Sequence, residues 1–114
     1  MAIEVRNAIM KELDVVYNGG DALLHPTFET SGIGINGTGR VATSRAIGSI
    51  FHITGTKSMK EIKDVPVRIV IHKQVLIGIG SFTEDKWCYL PVAGTLMTMD
   101  EIKELERQWE VEYM

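Results

Sequence analysis

One cysteine, Cys88, leaves the chain no partner for an intrachain disulfide and no multi-cysteine metal site. That usage suits a reducing cytosol. No apolar run approaches the roughly 20 residues of a membrane helix. The start carries Glu4, Glu12 and Asp14 and no apolar block, so a signal peptide is not expected. HxxxH and CxxC are both missing, and the three histidines stand far apart at 25, 52 and 72. Basic charge is not in excess either: the net charge is −3, which argues against binding bulk DNA or RNA. Repeats, linkers and low-complexity tracts are absent, so residues 1–114 form one expected domain, long enough to bury a core. Hydrophobic content of 45 % and charged content of 24 % are those of a globular chain.

The remaining catalytic candidates are few. Cys88 sits between Trp87 and Tyr89 in a strand-like run, where a free cysteine behaves as a small hydrophobe. Glu84 and Asp85 are adjacent carboxylates in a polar turn. Nothing assembles into an acid–base pair or triad. The expectation is a protein that is not an enzyme, with no catalytic residue, cofactor or metal.

Charge is unevenly placed. From Arg40 to Lys73 seven basic residues face only Glu61 and Asp64, a local balance of +5. From Asp100 to Glu112 six acidic residues face Lys103 and Arg107, a balance of −4. The basic centre suits a small phosphate-bearing ligand; solvated faces that neutralise each other are the equal alternative.

Val5, Ile9, Leu13 and Val16 recur at spacings of four, four and three, which predicts a helix over Ile3–Tyr17 closed by Asn18-Gly19-Gly20. Asp21–Asn36 reads as short extended pieces, interrupted by Pro26 and ended by the turn dipeptide Asn36-Gly37. Val41–Thr54 predicts a buried helix with Ala42, Ala46, Ile50 and Ile53 on one side, stopped by Gly55. Ser58–Glu61 matches a capping box for a short helix. Val65, Val67, Ile69 and Ile71, then Val75, Ile77 and Ile79, alternate about His72-Lys73-Gln74 as a β-hairpin with both faces covered. Trp87–Leu90 is a strand stopped by Pro91, and Thr98–Glu101 caps a last helix striped by Ile102, Leu105, Trp109 and Tyr113. The fold class is therefore α+β: a mostly antiparallel sheet of four to six strands packed with helices.

Gly32 to Gly48 holds five of the eleven glycines, followed or flanked by Arg40 and Arg45. Glycines let backbone approach a ligand, and a helix start favours anions. The pattern Gly32-x-Gly34-x-x-Gly37 lacks the preceding strand, the helix opening and the downstream acid of a dinucleotide site. Arg40-Val41 stands where a P-loop needs Lys and then Ser or Thr. Two readings stand: an anion site using Arg40 and Arg45, or a tight loop with both arginines solvated. Likewise Phe82 and Trp87 are either a stacking surface for a base or core.

Gly34-Ile-Asn-Gly-Thr-Gly-Arg40 leading into Ser44-Arg45-Ala-Ile-Gly48, and Val65-Pro-Val-Arg-Ile-Val continuing through Ile77-Gly-Ile-Gly-Ser-Phe82 to Asp85-Lys-Trp87, carry a family likeness. On these segments and the order of elements, the chain resembles the phage-encoded anti-Thoeris signal sponges. The resemblance implies immune evasion by sequestering, without cleavage, a cyclic ADP-ribose-type messenger, and cyclic oligonucleotides in some members. It also implies a homo-oligomer, dimer or higher with a hexamer among the options, acting in the host cytoplasm with pockets at subunit contacts. The ligand-binding candidates come from the residues themselves: Asn36, Gly37, Gly39, Arg40, Arg45, Arg68, Phe82 and Trp87. Two rivals remain. One is an inhibitor of a host defence enzyme acting through the acidic Asp100–Glu112 helix. The other is a small hydrolase or transferase completed across an oligomer interface.

Overall fold

The longest element of the computed structural model, which describes residues 2–112 apart from the side chains of residues 33, 36, 111 and 112, is a strand. Ile3–Asn18 forms β1, where the spacing predicted a helix. The error has a physical origin. Pairing with the next strand runs Met10↔Phe28 and then Glu12↔Thr27, so Lys11 is an extra, bulged residue. The buried series is Ala8, Met10 and Leu13: a period of two broken by one residue, which imitates helical spacing. Val5, the head of the supposed helical stripe, is 44 % exposed. The β-branched residues Ile3, Val5, Ile9, Val15 and Val16 favour the extended form. Gly19 and Gly20 do not cap a helix. With φ of 63° and 92° they make the two-residue turn that brings Asn18 opposite Asp21.

β2 (Asp21–Thr30) pairs antiparallel with β1, and β3 (Ile33–Asn36) pairs with β2. Beyond β3 the loop stays on β2: Leu24 N–H donates to Arg40 O, and Ala42 N–H to Ala22 O, both at 2.8 Å. The helix α1 spans Ser44–Thr54, three residues later than predicted, because Thr43 caps it by accepting from Ala46 N–H at 3.0 Å. Gly55, left-handed at φ 71°, closes it. Ser58 makes no side-chain cap. Glu61 reaches instead to Lys57 N–H, and Met59–Glu61 is a single 3₁₀ turn.

The expected hairpin is present as β4 (Val65–His72) and β5 (Val75–Ser81), turning on Lys73 and Gln74, both at positive φ. β6 (Trp87–Tyr89), a 3₁₀ turn at Leu90–Val92, β7 (Thr95–Met97) and α2 (Met99–Glu112) complete the chain. Thr98 and Glu101 form the predicted capping box, each accepting from the other's backbone N–H. Tyr113, assigned to this helix from the sequence, lies outside the described residues. The seven strands lie in the order β3-β2-β1-β4-β5-β6-β7, all antiparallel. The fold is α+β, a single domain whose sheet reaches seven strands because the supposed first helix is one of them.

Each helix covers one face. Ala46, Ile50 and Ile53 of α1 pack on Ala8, Met10, Phe28, Val67, Ile69, Ile79 and Cys88. On the other face, Val70, Ile77, Trp87 and Tyr89 meet Ile102, Leu105 and Trp109 of α2. Fully burying one such aliphatic side chain contributes about 1.5–3 kcal/mol. The start of α1 is also fixed to the loop before β7. Thr43 Oγ1 donates to Ala93 O at 3.1 Å, and a Cβ on Gly94 would meet Ala46 Cα at 2.5 Å. Only glycine fits there, and the contact holds the Arg40-bearing loop against the far end of the sheet.

Candidate functional site

Where β4 ends and α2 passes over it, three polar side chains are buried together. His72 closes β4 on the face it shares with Val70, so its ring turns toward α2. Glu106 lies one turn after Ile102 on the buried stripe of that helix, and is 7 % exposed. His72 Nδ1 is 2.6 Å from Glu106 Oε1, and Tyr89 Oη donates to Glu106 Oε2. The imidazole's other nitrogen, Nε2, is 3.1 Å from Glu110 Oε1. Lys73 Nζ approaches the same Glu110 oxygen at 3.6 Å. Burial and then the Glu106 carboxylate push the Tyr89 phenol up, while the Arg40 charge pulls it down. Tyr89 also stacks on Trp109, centroids 5.9 Å apart.

Above this cluster opens a cleft of about 590 Å³, lined by Arg40, His72, Lys73, Glu106 and Glu110, with Val75, Ile77, Pro91 and Trp109 as apolar wall. Each Glu106 oxygen has one close partner, and a carboxyl so buried needs them. Arg40 is different: among the described residues its guanidinium has no ion-pair partner. The cleft thus combines a cation available to a ligand, an aromatic wall and a hydrogen-bonding floor. Its volume falls in the range of about 300–1,000 Å³ usual for small-molecule sites.

The residues singled out from the sequence are spread over several places. Arg40 is in the cleft. Arg45, in the first turn of α1, points to Thr95 Oγ1 at 3.4 Å. Arg68 lies over the Trp87 ring, 4.3 Å from its centroid, and donates to the carbonyls of Ser81 and Glu84 at 2.7 Å each. Trp87 is 2 % exposed, and its indole N–H donates to Asp85. Phe82 is 46 % exposed and lines a separate groove with Asn7, Ile9 and Pro66. Gly37 and Gly39 are both left-handed, at φ 74° and 66°. Gly37 N–H donates to Pro26 O, and its Cα lies beside the His25 ring. The Asn36 side chain lies outside the described residues.

Much of the amide array along the glycine loop is occupied by the chain itself. The N–H groups of Gly37, Arg40, Ala42, Thr43 and Ala46 are all taken by their own chain. What the loop gives the cleft is the Arg40 side chain. His72, Tyr89, Glu106, Trp109 and Glu110 were not singled out from the sequence. One signal pointed to them: Glu106 interrupts an apolar stripe at the spacing of Ile102 and Trp109. The space above Gly80 on β5 is filled by the Trp87 ring. Burial pushes the Cys88 thiol up to about 12, which leaves it protonated and unreactive at neutral pH. Compared with known protein families, curated proteins and solved structures, the chain matches none.

Proposed function

We propose that this protein is a non-catalytic binder that sequesters a small phosphate-bearing cyclic nucleotide, and that the Arg40 cleft holds it. The observation that carries the proposal is Arg40: a guanidinium without an ion-pair partner among the described residues, at the mouth of a cleft walled by Trp109. A guanidinium grips phosphate oxygens through two parallel N–H donors, and an indole offers a face for a base. The resemblance to phage signal sponges supplies the ligand class, an immune messenger of the cyclic ADP-ribose type, and the setting, a host cytoplasm. It also supplies the expectation of a homo-oligomer. No described helix is long and apolar enough to cross a membrane.

Calorimetry against a panel of cyclic nucleotides, followed by mass analysis of the recovered ligand, tests the proposal. Sequestration requires stoichiometric binding with slow release and an unchanged ligand mass. Absence of binding across the panel, or a shifted mass, removes it. Light scattering at micromolar concentration checks assembly, and the 12.7 kDa monomer mass would contradict the homo-oligomer. A second reading has its own observation. Asp100, Glu101 and Glu104 ring a shallow hollow of about 410 Å³ floored by Met97 and Leu105, a surface that suits a basic protein partner. Reversing charge at Glu101 and Glu104 impairs such an inhibitor and leaves nucleotide binding intact.

A further inference from the structure

Glu110 occupies an unusual position. It lies in the last turn of α2, which holds no basic residue, where the helix carbonyls create partial negative charge and disfavour a carboxylate. What holds it there comes from outside the helix: His72 Nε2 at 3.1 Å and Lys73 Nζ at 3.6 Å. Its neighbour Glu106 is sealed in by Tyr89 and His72, whereas the Glu110 side chain is 25 % exposed and opens on the cleft that Arg40 lines.

We infer that the position now filled by the Glu110 carboxylate is the phosphoryl subsite of the cleft, so that a ligand phosphate displaces Glu110 and takes over its contacts. The inference rests on the reading of the cleft as a phosphate-ligand site, and deepens it. The two groups present similar chemistry to the same surroundings: anionic oxygens beside His72 Nε2 and the Lys73 ammonium. A phosphoryl group offers more oxygens than a carboxylate and can accept from Arg40 as well. The turn that carries Lys73 is fixed by two consecutive left-handed residues, Lys73 and Gln74 at φ 54° and 65°. The His72 ring, 5 % exposed, and the turn backbone therefore stay in place when the carboxylate leaves, and the exposed Lys73 ammonium is free to follow the phosphate. Glu110, near the helix end, reaches water by a change of rotamer and escapes the unfavourable helix field as it does so. Affinity in the parent protein is then the difference between the phosphate's contacts and those Glu110 gives up.

Neutralising Glu110 while keeping its shape should tighten phosphate binding, because the competing anion becomes a neutral amide of the same shape beside His72. Like charges brought close together near a protein surface repel strongly. A gain of at least about tenfold in affinity is therefore expected for Glu110→Gln. The probe is pyrophosphate, titrated by calorimetry into the parent, Arg40→Ala, Glu110→Gln, Arg40→Ala/Glu110→Gln and Glu104→Gln. Glu104→Gln removes the same charge from the solvent face of the same helix, where Glu104 pairs with Arg107. The expected pattern is tighter binding for Glu110→Gln, no gain for Glu104→Gln and loss of the gain in the double variant. Equal gains for Glu110→Gln and Glu104→Gln would mean net charge alone acts, and would overturn the subsite. Parent binding that depends on Arg40 but is unchanged by Glu110→Gln would overturn the subsite and leave the cleft reading standing. No pyrophosphate binding by any variant would overturn both.

Discussion

Arg68 lies over Trp87, its guanidinium carbon 4.3 Å from the ring centroid, while the same ring rests on Gly80. Gly80, Trp87 and Arg68 thus pack together and close one face of the sheet at β4–β6. A cation over an indole contributes about 0.5–1 kcal/mol when exposed and about 2 when desolvated. The packing also explains why β5 needs a glycine: a Cβ on Gly80 would fall within the Trp87 ring, which is pinned by Asp85 and covered by Arg68.

Gly80→Ala should therefore destabilise the fold by about 1–3 kcal/mol or more, the cost of overpacking a ring that cannot move aside. Gly48→Ala should act in the opposite direction. Gly48 is an exposed residue inside α1, and a Cβ added to it would meet nothing within 4 Å, so alanine there gains about 1 kcal/mol of helix propensity. Urea unfolding of both variants checks the pair, and the two shifts should have opposite sign.

Glu106 joins three elements, since its carboxylate receives Tyr89 from β6 and His72 from β4 while it rides on α2. Tyr89→Phe removes one donor and leaves a buried oxygen short of a partner, at a cost of about 1–3 kcal/mol. Glu106→Ala leaves the Tyr89 hydroxyl and His72 Nδ1 without their shared partner and should cost about 1–3 kcal/mol for each group left unsatisfied. Because both changes act on one network, their effects should fall short of additivity in a double-mutant cycle. Additive losses in urea unfolding would mean that the three side chains are not coupled.

Acid and alkali should each weaken the fold for a separate reason. The Met99 backbone N–H, at 2.9 Å, and the Trp87 indole N–H, at 2.7 Å, hold the Asp85 carboxyl below its ordinary value. Its contribution is complete above the ordinary carboxylate pKa and is lost as pH falls through the lower folded value. Cys88 has the reverse sense: burial raises its thiol from about 9 to about 12, so its contribution is complete below 9 and fades as pH climbs toward 12. Stability measured against pH should show Asp85→Asn flattening the acid limb, and Cys88→Ala flattening part of the alkaline one, the rest following the raised Tyr89 phenol. An acid limb unchanged by Asp85→Asn would place the acid sensitivity elsewhere.

The parts of the fold legible in the sequence are those whose burial is local. β4 and β5 stand out because both of their faces are covered, which fills them with apolar residues along their length, and α1 and α2 carry their caps, Thr43 aside, within the pattern. β1 was illegible because one bulged residue, Lys11, shifts its buried face, and that shift exists only relative to β2. β7 is three residues long, too short to show a period. The cleft was half visible. Arg40 announces itself beside glycines, but His72 and Glu106 are 34 positions apart, and only the crossing of α2 over β4 joins them. Some of the loop amides that look available for an anion in the sequence are taken by acceptors on another strand, Ala22 O and Pro26 O, which the sequence does not show.

Arg40, Arg45 and Phe82, read together from the sequence as one site, are expected to separate in binding. Arg40 lines the 590 Å³ cleft, Arg45 reaches the Thr95 hydroxyl on β7, and Phe82 faces a different groove. Arg40→Ala should then weaken cyclic-nucleotide binding by about 1.5–3 kcal/mol, the loss of a charge-assisted contact in a half-open cleft. Arg40→Lys should restore little, since the ammonium keeps the charge and loses the two-pronged donor geometry. Trp109→Ala should cost about 1–3 kcal/mol if the indole stacks on the base. Its fold must be checked first, because the ring also stacks on Tyr89. Arg45→Ala and Phe82→Ala should bind within about twofold of the parent, less than about 0.5 kcal/mol. Calorimetry on variants of confirmed fold and assembly decides the matter. If Phe82→Ala or Arg45→Ala abolished binding while Arg40→Ala left it intact, the ligand would belong to another face of the sheet.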